Sequence, residues 1–248
     1  IKTFHNKNTG TIESKDRQGV YFQGNVHVET FHNEGFISGK SDSCGDSCID
    51  NYLRTEGGVS MSRGTIETFK NSGTIQSTGT NHYPAGVKLN YATVKTFENT
   101  GLISGISGGF ITIKGTIENF INKGTIEATG QGGGEAAIRI HTAELQFSSI
   151  TNFTNTGTIK SNSNGVLIES GNKIGTLTNQ GVIESKLNGI DFLDDGGYSS
   201  PDNTDLGKIV LEEGSSIKAE KKGINIDNQT AKTIKADGIE VKKGASVS

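Results

Sequence analysis

Apolar positions recur along the chain in one phrase, Ile/Val-x-x-Phe-x-Asn-x-Gly-x-Ile. It runs from Val28 to Ile37, Ile66 to Ile75, Val94 to Ile103, Ile117 to Ile126, Ile150 to Ile159 and, with Leu177 in place of Phe, Ile174 to Ile183. An extended copy opens the chain, from Ile1 through Phe4, Asn8 and Gly10 to Ile12. Two looser copies close it, from Ile209 through Leu211 and Gly214 to Ile217, and from Ile239 through Val241 and Gly244 to Val247. An apolar-x-apolar stretch follows each phrase, often after Gly: Val20/Phe22, Val59/Met61, Val87/Leu89, Ile111/Ile113, Ile138/Ile140, Val166/Ile168, Ile190/Phe192 and Ile224/Ile226. Alternation with a period of two marks a half-buried strand. Each repeat therefore holds three short strands: a (Ile-x-x-Phe), b (Gly-x-Ile) and c (apolar-x-apolar). The odd spacing from Ile66 to Phe69 predicts a bulge or bend within strand a.

Spacing says how these strands are arranged. Six residues separate Phe31 from Ile37, and the same six recur from Phe69 to Ile75, Phe97 to Ile103, Phe120 to Ile126, Phe153 to Ile159, Leu177 to Ile183, Leu211 to Ile217 and Val241 to Val247. The opening copy is longer by two residues, Asn6 and Lys7. One corner of the repeat thus tolerates almost no change in length. The markers Ile12, Ile37, Ile75, Ile103, Ile126, Ile159, Ile183, Ile217 and Val247 lie 25, 38, 28, 23, 33, 24, 34 and 30 residues apart. The shortest interval can just hold three strands and three turns, and such a unit cannot bury its apolar residues alone. The expected fold is an all-β, right-handed parallel β-helix with three short strands per coil and about eight to nine coils. It forms a single solenoid over residues 1–248, roughly 38 Å tall at about 4.8 Å per coil step. The repeated Asn33, Asn71, Asn99, Asn122, Asn155 and Asn179 are expected to form an amide ladder along the stack, helped by the tolerance of Asn for left-handed turns.

The excess length falls at two corners. After strand b the shortest link is seven residues, from Ile159 to Val166, but it reaches 22 between Ile37 and Val59 and 12 from Ile75 to Val87 and from Ile126 to Ile138. After strand c it grows to 12 between Ile138 and Ile150 and to 19 between Ile190 and Ile209. Insertions are assigned to residues 38–58, 127–137, 141–149 and 193–208. Loops held by a rigid scaffold often carry recognition, although drift at exposed corners leaves the same pattern.

Composition adds exclusions. The net charge of -3 and the lack of a basic run leave no electrostatic footprint for nucleic acid or an anionic membrane surface. No run of about 18 apolar residues exists to insert in a bilayer as a helix. The chain opens and closes inside repeats, which reads as a segment of a longer protein.

Candidate chemistry is sparse. Cys44 and Cys48, the only two cysteines, sit at the tip of the largest insertion. Their spacing permits a small disulfide, which export would favour, and a four-ligand zinc cluster lacks its other two partners nearby. The Gly-Asp-Ser between them has no His or Asp at an esterase spacing. His5 and His32 follow Phe4 and Phe31 and are placed to stack, but two imidazoles without a third ligand do not make a metal site. Asp191, Asp194, Asp195, Asp202 and Asp205 do not match the spacing of an EF-hand calcium loop. Glu127, Lys160, Glu184 and Lys218 alternate in sign on successive coils, as on a solvated face. No aligned carboxylates mark a glycoside-cleaving site. No catalytic residue, metal or cofactor is expected.

The phrase Phe-x-Asn-x-Gly-Thr-Ile, at Phe69 to Ile75 and Phe153 to Ile159, followed by Gly-Val-x-Ile, resembles the passenger domains of Gram-negative autotransporters. The resemblance covers essentially the whole chain, and two-partner-secreted haemagglutinins share the architecture. It implies a right-handed β-helix secreted through an outer-membrane barrel, by type V secretion, and displayed on the cell surface. Closely spaced cysteines suit that route. The protease module of some members is absent, so no catalytic residue carries over. The leading expectation is a non-enzymatic adhesin whose loops contact a host receptor, glycan, matrix protein or sister passenger. The alternatives are a carbohydrate-active β-helix enzyme, a polysaccharide lyase or hydrolase, and a pure spacer stalk.

Overall fold

A computed structural model describes residues 1–40, 57–79, 84–132, 134–142, 147–194, 204–228 and 234–248. The chain is an all-β parallel β-helix. The nine b strands, from Thr11–Glu13 to Ser246–Val247, pair in chain order in one parallel sheet, and the a and c strands share a 16-stranded sheet. Strands c and a first run on as one element, in Val20–Asn33, Gly57–Asn71 and Ala85–Asn99, and then separate, as in Gly108–Ile113 and Thr116–Asn122. The corner between them is turned by left-handed residues in four coils: Gly24, Arg63 with Gly64, Tyr91 and Lys114. The bend expected inside strand a is present. Pairing lapses at Glu67 opposite Lys95, between the paired Ile66 and Thr68, and both Ile66 and Phe69 are fully buried.

Parallel in-register pairing places each residue type above its own kind, which makes columns of the core. Phe4, Phe31, Phe69, Phe97, Phe120 and Phe153 stack with ring centroids 4.5–4.9 Å apart. That distance is the strand spacing itself, so backbone pairing and ring contact are satisfied together. Beside it runs the amide ladder. Asn33 Nδ2 donates to Asn71 Oδ1, Asn71 to Asn99, Asn99 to Asn122, Asn122 to Asn155 and Asn155 to Asn179, all at 2.8–2.9 Å. Each of these amides also donates to the glycine carbonyl two residues on, as Asn71 does to Gly73 at 3.2 Å.

Three expectations about this ladder are corrected. The ladder begins at Asn6, which pairs with Asn33 and donates to it at 2.8 Å; Asn8 lies beyond it in the turn. The two extra residues of the first coil therefore follow the ladder position. At the other end, Ile209 rather than Leu211 pairs with Leu177, and Leu211 takes the place below Asn179. The corner from Leu211 to Ile217 is thus two residues longer than that from Asn179 to Ile183, and the one from Val241 to Val247 matches it. The ladder asparagines are also not left-handed; among the described residues, only Arg63, Tyr91 and Lys114 are non-glycine residues with positive φ.

Glycine in the Asn-x-Gly turn answers to close approach. A Cβ on Gly73, Gly101, Gly124, Gly157 or Gly181 would lie 2.1–2.2 Å from the carbonyl oxygen of the glycine one coil earlier. A second glycine column precedes strand c, where a Cβ on Gly58, Gly86, Gly109, Gly165 or Gly189 would meet an Ile Cγ2 of strand b at 2.2–2.8 Å. This column sets which residues of strand c face inward. In the coil of Gly109 the inward pair is Phe110 and Thr112, in register with Val87 and Leu89 and with Ile138 and Ile140. The expected inward pair, Ile111 and Ile113, faces away and belongs to a separate small cluster with Ala85.

Replacing Asn122 by Leu should lower the unfolding free energy by about 2–4 kcal/mol, because buried donors and acceptors in two neighbouring coils lose their partners. Asn179→Leu should cost less, since no amide lies below it and its bond to the next coil is the long one to Ser216 O at 3.5 Å; urea denaturation of both variants measures the difference. Gly124→Ala should be severely destabilising in the same assay, because the new Cβ would sit 2.2 Å from Gly101 O.

Candidate functional site

The two corners that carry insertions are the two ends of strand c, so the outward face of that strand is the one the loops flank. Its outward residues fall into rows across the coils. One runs through Ser60, Lys88, Ile111, Arg139, Leu167 and Asp191; the next includes Ser62, Asn90, Ile113 and His141. These side chains point away from the core yet are closed to solvent: Lys88 is 1% exposed, Arg139 7%, His141 5% and Asp191 5%. Buried charge on a solenoid's outer face requires partners.

Arg139, His141 and Glu169 supply each other's. Arg139 and His141 alternate with Ile138 and Ile140 along Ala136–His141, so both project outward, and Glu169 ends the strand of the next coil, Asn164–Glu169. Arg139 Nε and Nη2 both approach Glu169 Oε1 at 2.6 Å, while His141 Nδ1 meets Oε2 in a short contact. The Thr142 backbone N–H also donates to Oε2, at 3.3 Å. Burial alone would push the Glu169 pKa up. The Arg139 charge and the hydrogen bond with His141 outweigh it and hold the carboxyl at about 2, against a usual 4.5.

Asn172 anchors the adjoining corner. Fully buried, it donates to Ile140 O at 2.9 Å, to Thr142 Oγ1 at 2.8 Å and to Glu169 O at 2.8 Å, and its Oδ1 accepts from the Ser148 backbone N–H at 2.7 Å. It thereby ties both ends of the 141–149 insertion to the coil below. Further along the same face, Asp191 accepts from Asn225 Nδ2 at 2.8 Å, and Lys222 donates to Asn225 Oδ1 at 2.7 Å.

At the left-handed corner, the Tyr91 ring lies between two cations, with Arg63 Cζ 5.7 Å and Lys114 Nζ 4.6 Å from its centroid. Lys114 Nζ also donates to Tyr91 Oη at 2.5 Å. A polar depression of about 320 Å³ opens there, lined by Gln23, Ser62, Arg63, Asn90 and Tyr91.

The sites expected from sequence divide as follows. Cys44 and Cys48 lie outside the described residues, as do residues 41–56, 133, 143–146 and 195–203 of the insertions. Of the acidic stretch, Asp191 is bound to Asn225 as above, Asp205 accepts from the Gly207 N–H at 3.2 Å, and Asp195 and Asp202 lie outside the described residues. Glu127, Lys160, Glu184 and Lys218 stand in register, and Glu184 pairs with Lys218 at 3.4 Å. His5 and His32 do stack, with centroids 4.8 Å apart, and Glu34 joins them. The Arg139–His141–Glu169 cluster and Asn172 were missed. Their visible signal is charge alternating with the inward Ile138 and Ile140 beside an insertion.

Among the described residues no helix is long and apolar enough to cross a membrane. Set against protein-family models, curated proteins and solved structures, the chain matches none.

Because the folded pKa of Glu169 lies below its unfolded value, its contribution is present above pH 4.5 and is lost as pH falls toward about 2. Glu169→Gln should therefore flatten the dependence of the urea midpoint on pH across that window. At pH 7 it should destabilise the fold, since Arg139 and His141 lose the charge of Glu169.

Proposed function

We propose that the chain is a non-enzymatic adhesin segment: a surface-displayed β-helical rod whose loops make the contacts, in the manner of an autotransporter passenger. The observation that carries this reading is the contrast between a uniform core and length variation gathered at the two ends of one strand. Aromatic and amide columns make a stiff scaffold, and the insertions place variable chain along one flank of it. The partners this suits are a host cell-surface receptor, glycan or matrix protein, or a sister passenger.

Glu169 bears on the enzyme alternative. Glycoside cleavage needs a carboxylic acid whose pKa is raised so that it can donate a proton. Glu169 is held ionised by Arg139 and His141, which suits an ion cluster bracing the loop bases.

Loop replacement tests the proposal. Exchanging residues 41–56 for a single Ser restores the seven-residue link found between Ile159 and Val166. Binding of this variant to cultured host cells and to immobilised matrix should fall several-fold, with circular dichroism and thermal midpoint retained. If attachment persists after the 195–203 segment is also shortened, the segment is a spacer. Appearance of new reducing ends from a glycan panel would instead favour the enzyme.

A further inference from the structure

We propose that His5, His32 and Glu34 form a binding site for one divalent transition-metal ion of the zinc type. The expectation of no metal rested on two imidazoles standing alone, and the fold supplies a third group. Parallel pairing sets His5 directly against His32 on neighbouring a strands. The rings are stacked 8° from parallel, and both Nε2 atoms face the Glu34 carboxylate. Glu34 follows two residues after His32, in the tight turn, and its carboxylate reaches both rings. Its Oε2 lies 3.2 Å from His5 Nε2 and its Oε1 3.6 Å from His32 Nε2. All three donor atoms lie within 4.8 Å of one another.

These separations suit the ion. Donors about 2.0–2.1 Å from a tetrahedral zinc lie roughly 3.3–3.4 Å apart. The two nitrogen–oxygen distances already bracket that value, and rotation of the exposed His5 ring brings its nitrogen toward His32. Two imidazoles and a carboxylate favour zinc, nickel, cobalt or copper over calcium or magnesium, which take oxygen donors. The Glu34 backbone is fixed in the ladder turn, where its N–H donates to Asn6 O at 2.8 Å. Among the described residues only these two coils offer the set. The positions equivalent to His32 are Lys70, Glu98, Ile121, Thr154 and Thr178 in the next five coils.

Three protein ligands leave at least one coordination position open to water or to a donor from another molecule. Because His5 belongs to the first coil and His32 and Glu34 to the second, the ion would also clamp those coils together.

The test uses the 248-residue chain carrying Cys44→Ser and Cys48→Ser, so that thiols cannot contribute. Calorimetry with zinc chloride alone should give one ion per chain, and His27→Ala should leave the affinity unchanged. His5→Ala, His32→Ala and Glu34→Gln should each weaken binding by about tenfold or more. These side chains are partly exposed, and an unchanged circular dichroism spectrum would show that each variant has folded. With cupric ion, electron paramagnetic resonance should count two nitrogen ligands in the parent and one in either histidine variant. No ion bound at micromolar zinc, or affinity and nitrogen count unmoved by His5→Ala and His32→Ala, would overturn the proposal. Neither result touches the adhesin reading, which rests on other residues.

Discussion

A buried primary amide that donates to its copy in the next coil and accepts from its copy in the previous one permits only one register. Six such bonds join the seven asparagines from Asn6 to Asn179, and the five between the ends meet the condition in full. A slip of two residues would put the amides against phenylalanine rings and leave several polar atoms in each coil without partners. Once register is set, the rest follows: rings stack on rings, each Ile of strand b meets the glycine column, and the turn glycines pass backbone to backbone. The ladder also passes polarisation from amide to amide, so that the column acts as a unit.

Much of this was legible in spacing, because a coil that must return to the same place leaves a periodic trace. Strand count, the bend between Ile66 and Phe69, and the ladder from Asn33 to Asn179 could all be read from the string. The misplacements of Asn8 and Leu211 share one cause: counting residues from a landmark assumes the turn is constant. Asn6 was passed over for Asn8 because the first turn is longer, and Leu211 was aligned with phenylalanines when it stands below an asparagine. Ile111 and Ile113 were taken as core because they are the larger aliphatics, yet Gly109 fixes the parity of that strand and makes Phe110 and Thr112 the inward pair. The Arg139–His141–Glu169 cluster needs a contact between residues 28 to 30 apart in sequence, which only the register reveals.

Inside and outside obey different rules in this molecule. The inner faces tolerate few changes, because each residue is wedged between its counterparts in two other coils. On the outer face of strand c the rows vary freely, from Ser60 through Lys88 and Ile111 to Arg139 and Asp191. Charges buried there are settled locally, by Glu169 for Arg139 and by Asn225 for Asp191. Asn172 fastens a loop base to the scaffold through the Ile140 and Glu169 carbonyls, the Ser148 amide and the Thr142 hydroxyl. Sequence variation in the loops can then proceed without disturbing the stack.

The point where the ladder ends has a mechanical meaning. Strands lie across the rod, so their hydrogen bonds run along its axis, and an axial pull loads the coil interfaces in series. Each interface bears the same force, and the weakest gives first. Between Asn179 and Leu211 the side-chain amide bond is missing, and the longer turn beyond it replaces the tight glycine crossing. The interface after it lacks the bond as well, since Val241 stands below Leu211. A rod under tension would yield at this end while the seven laddered coils held their shape.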